Sequence, residues 1–599
     1  MSKKNIIILF FFVLISICSY QQATAQSEDN KKNQHKINIK INGISKKKSE
    51  DIIKNISLFK YQDYAVRSTS RLMLLYSESK NEIKKSLQPY GYFNATVTST
   101  MSHKKSDWNV IYNIKLGVPI KIILVDIHIN GQGKDDLKFK EIIKNLPLKK
   151  EQILTQIKYN KAKDELLSTA AIRGYFDAKL VKHEIRINAK QNTASIYMTI
   201  NTGDRYRINK INLTQSEYSF YPNFLHKFIA IDNGSAFNNT SVQKTITNLQ
   251  SSNYFGDISI IPQIQSRDKK NKTIDVNVDL TASKPITYSV GGGYGTYTGF
   301  RALAETVFHH LTPSGHYASI SVEISQINLA YIAQYIIPGS NPLNNYWSIN
   351  AQQNLINIVP YRSLQSNAGV NNIYKNRWLS SNIGIQQYYI TYVTQDSSIT
   401  QDGSYLVPNW YANLDLTKPD GFWRKGVSIS NSLQGTIKNT LSSETFIRNL
   451  SQFQISIPIM SKWNRIIMSG NVGFLALAEA QNIAPQFRFY AGGVGNLLGY
   501  DYLSQGPKNT QGQLTGGRYL GTISAGLQQR VYGDLSILGY YNMGNATNSI
   551  TFDDVTILRA AGGGIGYETP VGSIQGYLTR TLNKNDMHWK IDISLGVIL

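Results

Sequence analysis

The chain has 599 residues, a formal net charge of +24 and 11% aromatic residues. That length predicts several domains rather than one. Past the N-terminal leader-like stretch no segment offers about 18 consecutive apolar residues, which excludes a membrane-spanning helix.

Taken in order, residues 1–25 read as a secretory signal peptide. Lys3 and Lys4 form the basic start, residues 6–17 the apolar stretch, and Ala23-Thr24-Ala25 a small-residue cleavage site. Cleavage there removes Cys18, the only cysteine, so the mature chain would hold neither disulfides nor thiolate metal sites. Ile17, before Cys18, is not the small residue that a lipidation signal wants. Basic charge sits on the N-terminal half: residues 26–286 carry 42 Lys+Arg against 24 Asp+Glu, and the remainder 19 against 15. In an exported chain this surplus points to anionic lipid head groups or an acidic partner rather than nucleic acid.

The N-terminal half repeats itself. Gly91-Tyr92-Phe93 recurs as Gly174-Tyr175-Phe176 and as Asn253-Tyr254-Phe255, spaced about 83 and about 79 residues apart, a period suited to small tandem domains. Each triplet follows a helical pattern: Ile83 and Leu87, then Ala162, Leu166 and Ala170, then Val242, Ile246 and Leu249. Gly91, Gly174 and Asn253 are natural left-handed helix terminators. Alternating strands follow, such as Val110, Tyr112 and Ile114, then Ile196, Met198 and Ile200, then Ile274, Val276 and Val278. With opening strands that end in Asn-Gly at Gly43 and Gly131, the unit reads strand, helices, strand, strand.

That order resembles the POTRA domain, with the triplet near the start of its second strand. The resemblance implies three such domains, at 36–121, 122–208 and 209–286. A set of three resembles the TamA type of the BamA/TamA superfamily. Exposed sheet edges in such repeats can accept a partner strand.

From Pro285 the helical patterns stop, and alternating runs separated by Gly, Asn, Ser and Pro replace them, as at Ile320, Val322 and Ile324. Residues 287–599 could supply an antiparallel transmembrane barrel of about 16 strands of about 10 residues. Tyrosine abundance suits aromatic girdles. Gly291, Gly292, Gly293 and Gly295 crowd one strand and weaken it through backbone entropy and missing side chains. Near the end, Trp589, Ile591, Ile593, Leu595, Val597 and Leu599 alternate. In between, residues 489–502 read FYAGGVGNLLGYDY, and a polar Gly/Asn/Gln-rich segment runs on to Gly517. So long a segment between strands is usually functional or disordered.

This stretch resembles the inward-folding barrel loop of the same superfamily. Phe489, Gly492, Gly493, Leu497, Gly499 and Tyr500 fit its pattern of aromatic, two glycines, aliphatic, glycine and aromatic. The family's arginine falls on Leu498 and its aspartate on Val494, and the acidic positions that hold that arginine in relatives align with Gly526 and Asn542. The loop is therefore expected to be held by packing and neutral hydrogen bonds, because an unpaired buried charge is costly. The segments at 291–301 and 562–578 also resemble the family's first-strand and late-barrel segments, whereas Leu599 departs from its terminal aromatic.

The resemblance implies an outer-membrane subunit of a translocation and assembly module, with POTRA domains in the periplasm. Its barrel would close through a weak seam between 286–296 and 589–599, with Gly291, Gly292, Gly293, Gly295, Ile591, Ile593 and Leu595 as candidate seam residues. Implied partners are outer-membrane lipid, a TamB-like periplasm-spanning protein, and unfolded outer-membrane or autotransporter clients. A two-partner-secretion-like polypeptide transporter and a lipid transporter remain as alternatives. Catalytic, cofactor and metal motifs are lacking. His309 and His310 would face opposite sides of a strand, which makes a metal pair improbable.

Overall fold

In the computed structural model, the described residues are 37–61, 68–104, 107–395, 399–420, 423–476, 482–550, 555–569, 572–583 and 586–598. The expected signal peptide, Cys18 and Leu599 lie outside them. The chain divides into two compact units. One comprises Met1–Lys210, Asn233–Thr240 and Pro262–Asp275, the other Ile211–Asp232, Ser241–Ile261 and Val276–Leu599, so that the third repeat contributes to both.

Each repeat places its last strand in the middle of a three-stranded sheet. The first uses β1 (Ile37–Asn42), β2 (Thr96–Lys104) and β3 (Asp107–Lys115) in the order β1-β3-β2. The second uses β4 (Lys121–Asn130), β5 (Lys179–Asn188) and β6 (Thr193–Asn201) in the order β4-β6-β5. The opening strand runs parallel to the middle strand and the hairpin partner antiparallel to it. The third has β7 (Arg207–Ser216), β8 (Phe255–Pro262) and β9 (Thr273–Ala282) in the order β7-β9-β8.

Alternation explains the cores. Val110, Tyr112 and Ile114 point inward from β3 onto Ile83 and Leu87 of the helix Thr69–Leu87. Ala194, Ile196, Met198 and Ile200 do the same from β6 onto Ala162, Leu166 and Ala170 of the helix Gln156–Ile172. Fully burying one such aliphatic side chain contributes roughly 1.5–3 kcal/mol.

The repeated triplets end their helices and also make the joints. Gly91, Gly174 and Asn253 have φ of 91°, 88° and 60°. The Gly91 carbonyl accepts the Ile120 N–H at 2.9 Å, and the Gly174 carbonyl accepts the Tyr206 N–H at 2.9 Å, at the entrance to the next repeat in each case. After the third triplet, the Tyr254 hydroxyl donates to the Gly315 carbonyl of a barrel turn at 2.6 Å. Phe220, Phe224 and Phe255 pack around Tyr254 with ring centroids 5.1–6.5 Å apart.

The second joint also carries charge. Asp177, just past the second triplet, accepts from Arg267 Nη2 at 2.9 Å, Lys272 Nζ at 2.8 Å and the Tyr206 hydroxyl at 2.8 Å. Desolvation alone would raise its pKa. The bonds from Lys272, Arg267 and Tyr206 outweigh it and hold the carboxyl well below the usual carboxylate range.

The rest of the second unit is a closed antiparallel barrel. Sixteen described strands run from Ile286–Gly295 to Trp589–Ile598, with a three-residue hairpin strand, Lys418–Asp420, as an addition. No described helix is long and apolar enough to cross a membrane. Large apolar side chains such as Tyr331, Ile349, Ile383 and Trp410 stand exposed on the outer face. Inward positions are rich in amides, as in the hydrogen-bonded set Asn350, Asn371 and Gln386. His309 and His310 correct the expectation of a strand: they lie just past the strand Gly299–Phe308, and His310 stacks on Tyr218 at 4.9 Å.

Candidate functional site

The barrel closes between its first and last strands, and it closes thinly. Among the described residues, backbone pairing spans five positions, from Gly291↔Ile598 to Gly295↔Ser594. The first strand pairs with its other neighbour over ten. Among the described residues, 286–290 have no partner on the closing side, and Tyr288 and Val290 stand exposed there.

The inward-facing glycines make room. An added Cβ at Gly293 would lie 2.6 Å from the Leu595 carbonyl oxygen and 2.7 Å from Arg301 Nε. The Arg301 guanidinium lies across this gap, and its Nη2 reaches the Leu595 carbonyl at 3.5 Å. Of the candidate seam residues, Gly291, Gly292, Gly293, Gly295 and Leu595 fall in the paired segment. Gly292 pairs in register with Val597. Ile593 meets the turn instead, accepting the Thr296 N–H at 2.9 Å, and Ile591 lies beyond the pairing.

Between the strands Ser461–Ala476 and Tyr519–Tyr532 the chain dives into the lumen and returns as a narrow double-back. Bridges join Phe489 to Gly517, Ala491 to Gln505, and Gly493 to Leu497. Phe487, Phe489, Ala491, Leu497 and Tyr500 are buried against wall residues Tyr405, Val407, Phe446, Leu475 and Leu520. The apolar positions of the motif thus give the barrel an internal core. At the tip, Gly499 has φ of 97°, and an added Cβ would sit 2.8 Å from Thr579 Cγ2 and 3.0 Å from Ala560 Cβ. Only glycine combines that conformation with so close an approach.

The positions aligned with the family's charge cluster divide. Asn542 donates to the Leu498 carbonyl at 2.9 Å, so these two positions meet, through backbone rather than through the Leu498 side chain. Gly526 sits opposite Tyr540 and carries no side chain to join them. Val494 is exposed. Gly492, Gly493, Leu497, Gly499 and Tyr500 are all buried in the docked loop.

The expectation that only neutral groups hold the loop is corrected by the structure. Arg488, 5% exposed, donates Nε and Nη2 to the Ile483 carbonyl at 3.0 and 2.7 Å, and Nη1 to the Thr515 carbonyl at 2.7 Å. Arg448 lies 4.6 Å over the Phe489 ring and donates to the Phe487 carbonyl at 3.1 Å. At the tip, Asp501 pairs with Lys590 of the last strand. The reason is geometric: carbonyls turned out of regular pairing present free lone pairs, and the guanidinium N–H groups of Arg488 and Arg448 fill them. Charge is scarce in this half of the sequence. Each inward charge was a signal that the motif alone did not supply.

The tip also touches the first hairpin. The Tyr297 hydroxyl, in the turn after the first strand, donates to the Tyr500 carbonyl at 3.3 Å. The Tyr500 hydroxyl lies 3.0 Å from Asn583 Oδ1 and 3.1 Å from the Arg559 carbonyl. The loop tip therefore contacts both sides of the closure.

Comparison with known proteins places these features. Residues 38–116 match the model for POTRA domain TamA domain 1. Residues 123–203 and 206–283 match the surface antigen variable number repeat, a POTRA model, and residues 313–596 the Omp85 superfamily domain. The outer membrane protein assembly factor BamA of Buchnera aphidicola is 26% identical over 281 residues, 44% of this chain. The match covers 43% of that relative, so the chain spans less than half of its length. In fold, the chain is similar to BamA from Haemophilus ducreyi lacking POTRA domains 1-3, with a TM-score of 0.67 at 14% identity, over 80% of this chain and 100% of that one. The chain accordingly belongs among the BamA/TamA-type proteins, with its barrel in the outer membrane and its POTRA repeats in the periplasm.

Proposed function

We propose that the chain assembles unfolded polypeptides into the outer membrane by opening its barrel at the seam. The carrying observation is the mismatch, among the described residues, between five paired positions at the closure and residues 286–290 beside it, which have no partner there. An extended client segment could add to that free edge, gaining main-chain hydrogen bonds in place of the few that closure supplies. The amphipathic alternation that builds this barrel is the pattern such a client would bring. The match of the first repeat to a TamA-type domain supports a periplasm-spanning, TamB-like partner docking there.

Deletion of residues 36–121 is expected to leave a heat-modifiable barrel while the partner no longer co-purifies. The first repeat has its own core, so its loss removes no barrel contact of that core. A deletion that also stops the barrel folding would count against independent repeats. Retention of the partner would count against this docking site. A native complex carrying lipid and no polypeptide client would move the reading to lipid transport.

A further inference from the structure

On the lumen side of the closure, Lys590 and Asp592 of the last strand, Tyr297 of the first hairpin and Asp501 of the loop tip form one polar cluster. Lys590 Nζ lies 4.5 Å from the Tyr297 ring centroid, a contact made directly across the seam. Lys590 also pairs with Asp501, and its side chain is 13% exposed. The docked loop thus braces both edges, through Tyr500 to Tyr297 on one side and through Asp501 to Lys590 on the other.

Asp592 is the discordant member. It is 1% exposed, and neither carboxylate oxygen accepts a hydrogen bond among the described residues. The Tyr297 hydroxyl and the Lys590 ammonium are in reach of it and favour the charged form, but the loop tip engages both, the hydroxyl through the Tyr500 carbonyl and the ammonium through Asp501. The docked loop therefore competes with the carboxylate for both groups. A buried carboxylate short of partners is costly, and the cost falls when the strand separates and the group meets water or a donor. Such a group persists only where the surroundings over-determine it, which is characteristic of switching regions.

We propose that this cluster poises the seam. The Lys590–Asp501 and Tyr297–Tyr500 contacts hold it shut, and Asp592, which must share those two groups with the loop, lowers the cost of opening it. This rests on the lateral-seam reading above and adds how that seam is regulated: the loop tip, by docking or leaving, sets the balance between the two.

The test is amide hydrogen exchange on the full chain, read by mass spectrometry in peptides covering 286–295 and 589–598. Peptides from the wall strands Tyr361–Lys375 and Leu379–Thr394 serve as the reference. Asp592→Asn removes the charge at constant shape and is expected to slow seam exchange about fivefold. Lys590→Met and Tyr297→Phe are expected to speed it by about the same factor. The reference peptides should not change. Asp592→Asn that speeds or leaves unchanged the seam exchange would overturn the proposal, because a supporting role predicts only loosening. Failure of Asp592→Asn to give a heat-modifiable barrel would overturn it too, since the carboxylate would then be required for structure. Seam exchange that follows these signs while client assembly does not would leave the poised seam standing and remove the proposed function instead.

Discussion

The joint after the second repeat and the seam of the barrel solve one problem in opposite ways. Both hold two pieces of chain together with side chains where regular backbone pairing is short. At the joint, Asp177 receives three donors, from Arg267, Lys272 and Tyr206. At the seam, Asp592 has no close donor among the described residues, and the tyrosine in reach of it is shared with the loop. A carboxylate fully supplied with donors marks a connection built to stay. One buried and short of them fits the proposed seam, whose closed state would be kept close in free energy to its open one.

The sharpest way to break this comparison is to make the seam permanent. Cysteines at Gly292 and Val597, which face each other in register, are expected to form a disulfide that abolishes client assembly, with recovery on reduction. An added Cβ at Gly292 meets nothing nearer than the Arg301 carbonyl at 3.9 Å, so the change itself is mild. The same cross-link between Val370 and Ile385, in a wall pair fifteen positions long, should leave assembly intact. Equal loss in both would mean that opening is not local to the seam.

Next in size is the loop tip. Leu498→Arg is expected to cost several kcal/mol in principle, because no carboxylate is aligned to receive the guanidinium and the Leu498 carbonyl is already engaged by Asn542. Asn542→Asp alone should cost about 1–3 kcal/mol, since it replaces a donor by a charge facing a carbonyl oxygen. Together they should cost less than the sum of the two, through a charge-assisted pair. Barrel melting in a double-mutant cycle measures the coupling, and strict additivity would show that the two side chains do not meet.

Smallest is the joint. Asp177→Asn is expected to loosen the second and third repeats by about 1.5–3 kcal/mol, the range for hydrogen bonds to a charged group. Spin labels on the two repeats would report it as a broader distance distribution. The sign with pH follows from the lowered pKa. The carboxylate's contribution is fully present above its unfolded pKa of about 3.9 and is lost as pH falls toward the folded value. Acidification from pH 7 to about 5 should therefore leave this joint unchanged, and loosening in that window would assign the cluster another role.

Much of this was legible in the chain itself. Period-two alternation gave the barrel, and helical spacing ended by Gly91, Gly174 and Asn253 gave three repeats. The glycines at 291–295 marked a thin strand before any pairing was known. Local pattern works here because each such feature is decided by neighbours a few residues away: backbone freedom, side-chain direction and the need to bury one face. The structure alone decided what crosses the closure. Which residue faces Gly292 depends on the stagger of every strand around the barrel, and no segment of sequence carries that sum. The same holds for the meeting of Tyr297, Asp501, Lys590 and Asp592, about 300 residues apart at the extremes. It holds too for the arginines on the loop carbonyls, whose free lone pairs exist only once the loop has folded inward. Sequence determined which parts are weak and which faces are wet; closure of the barrel determined what meets there.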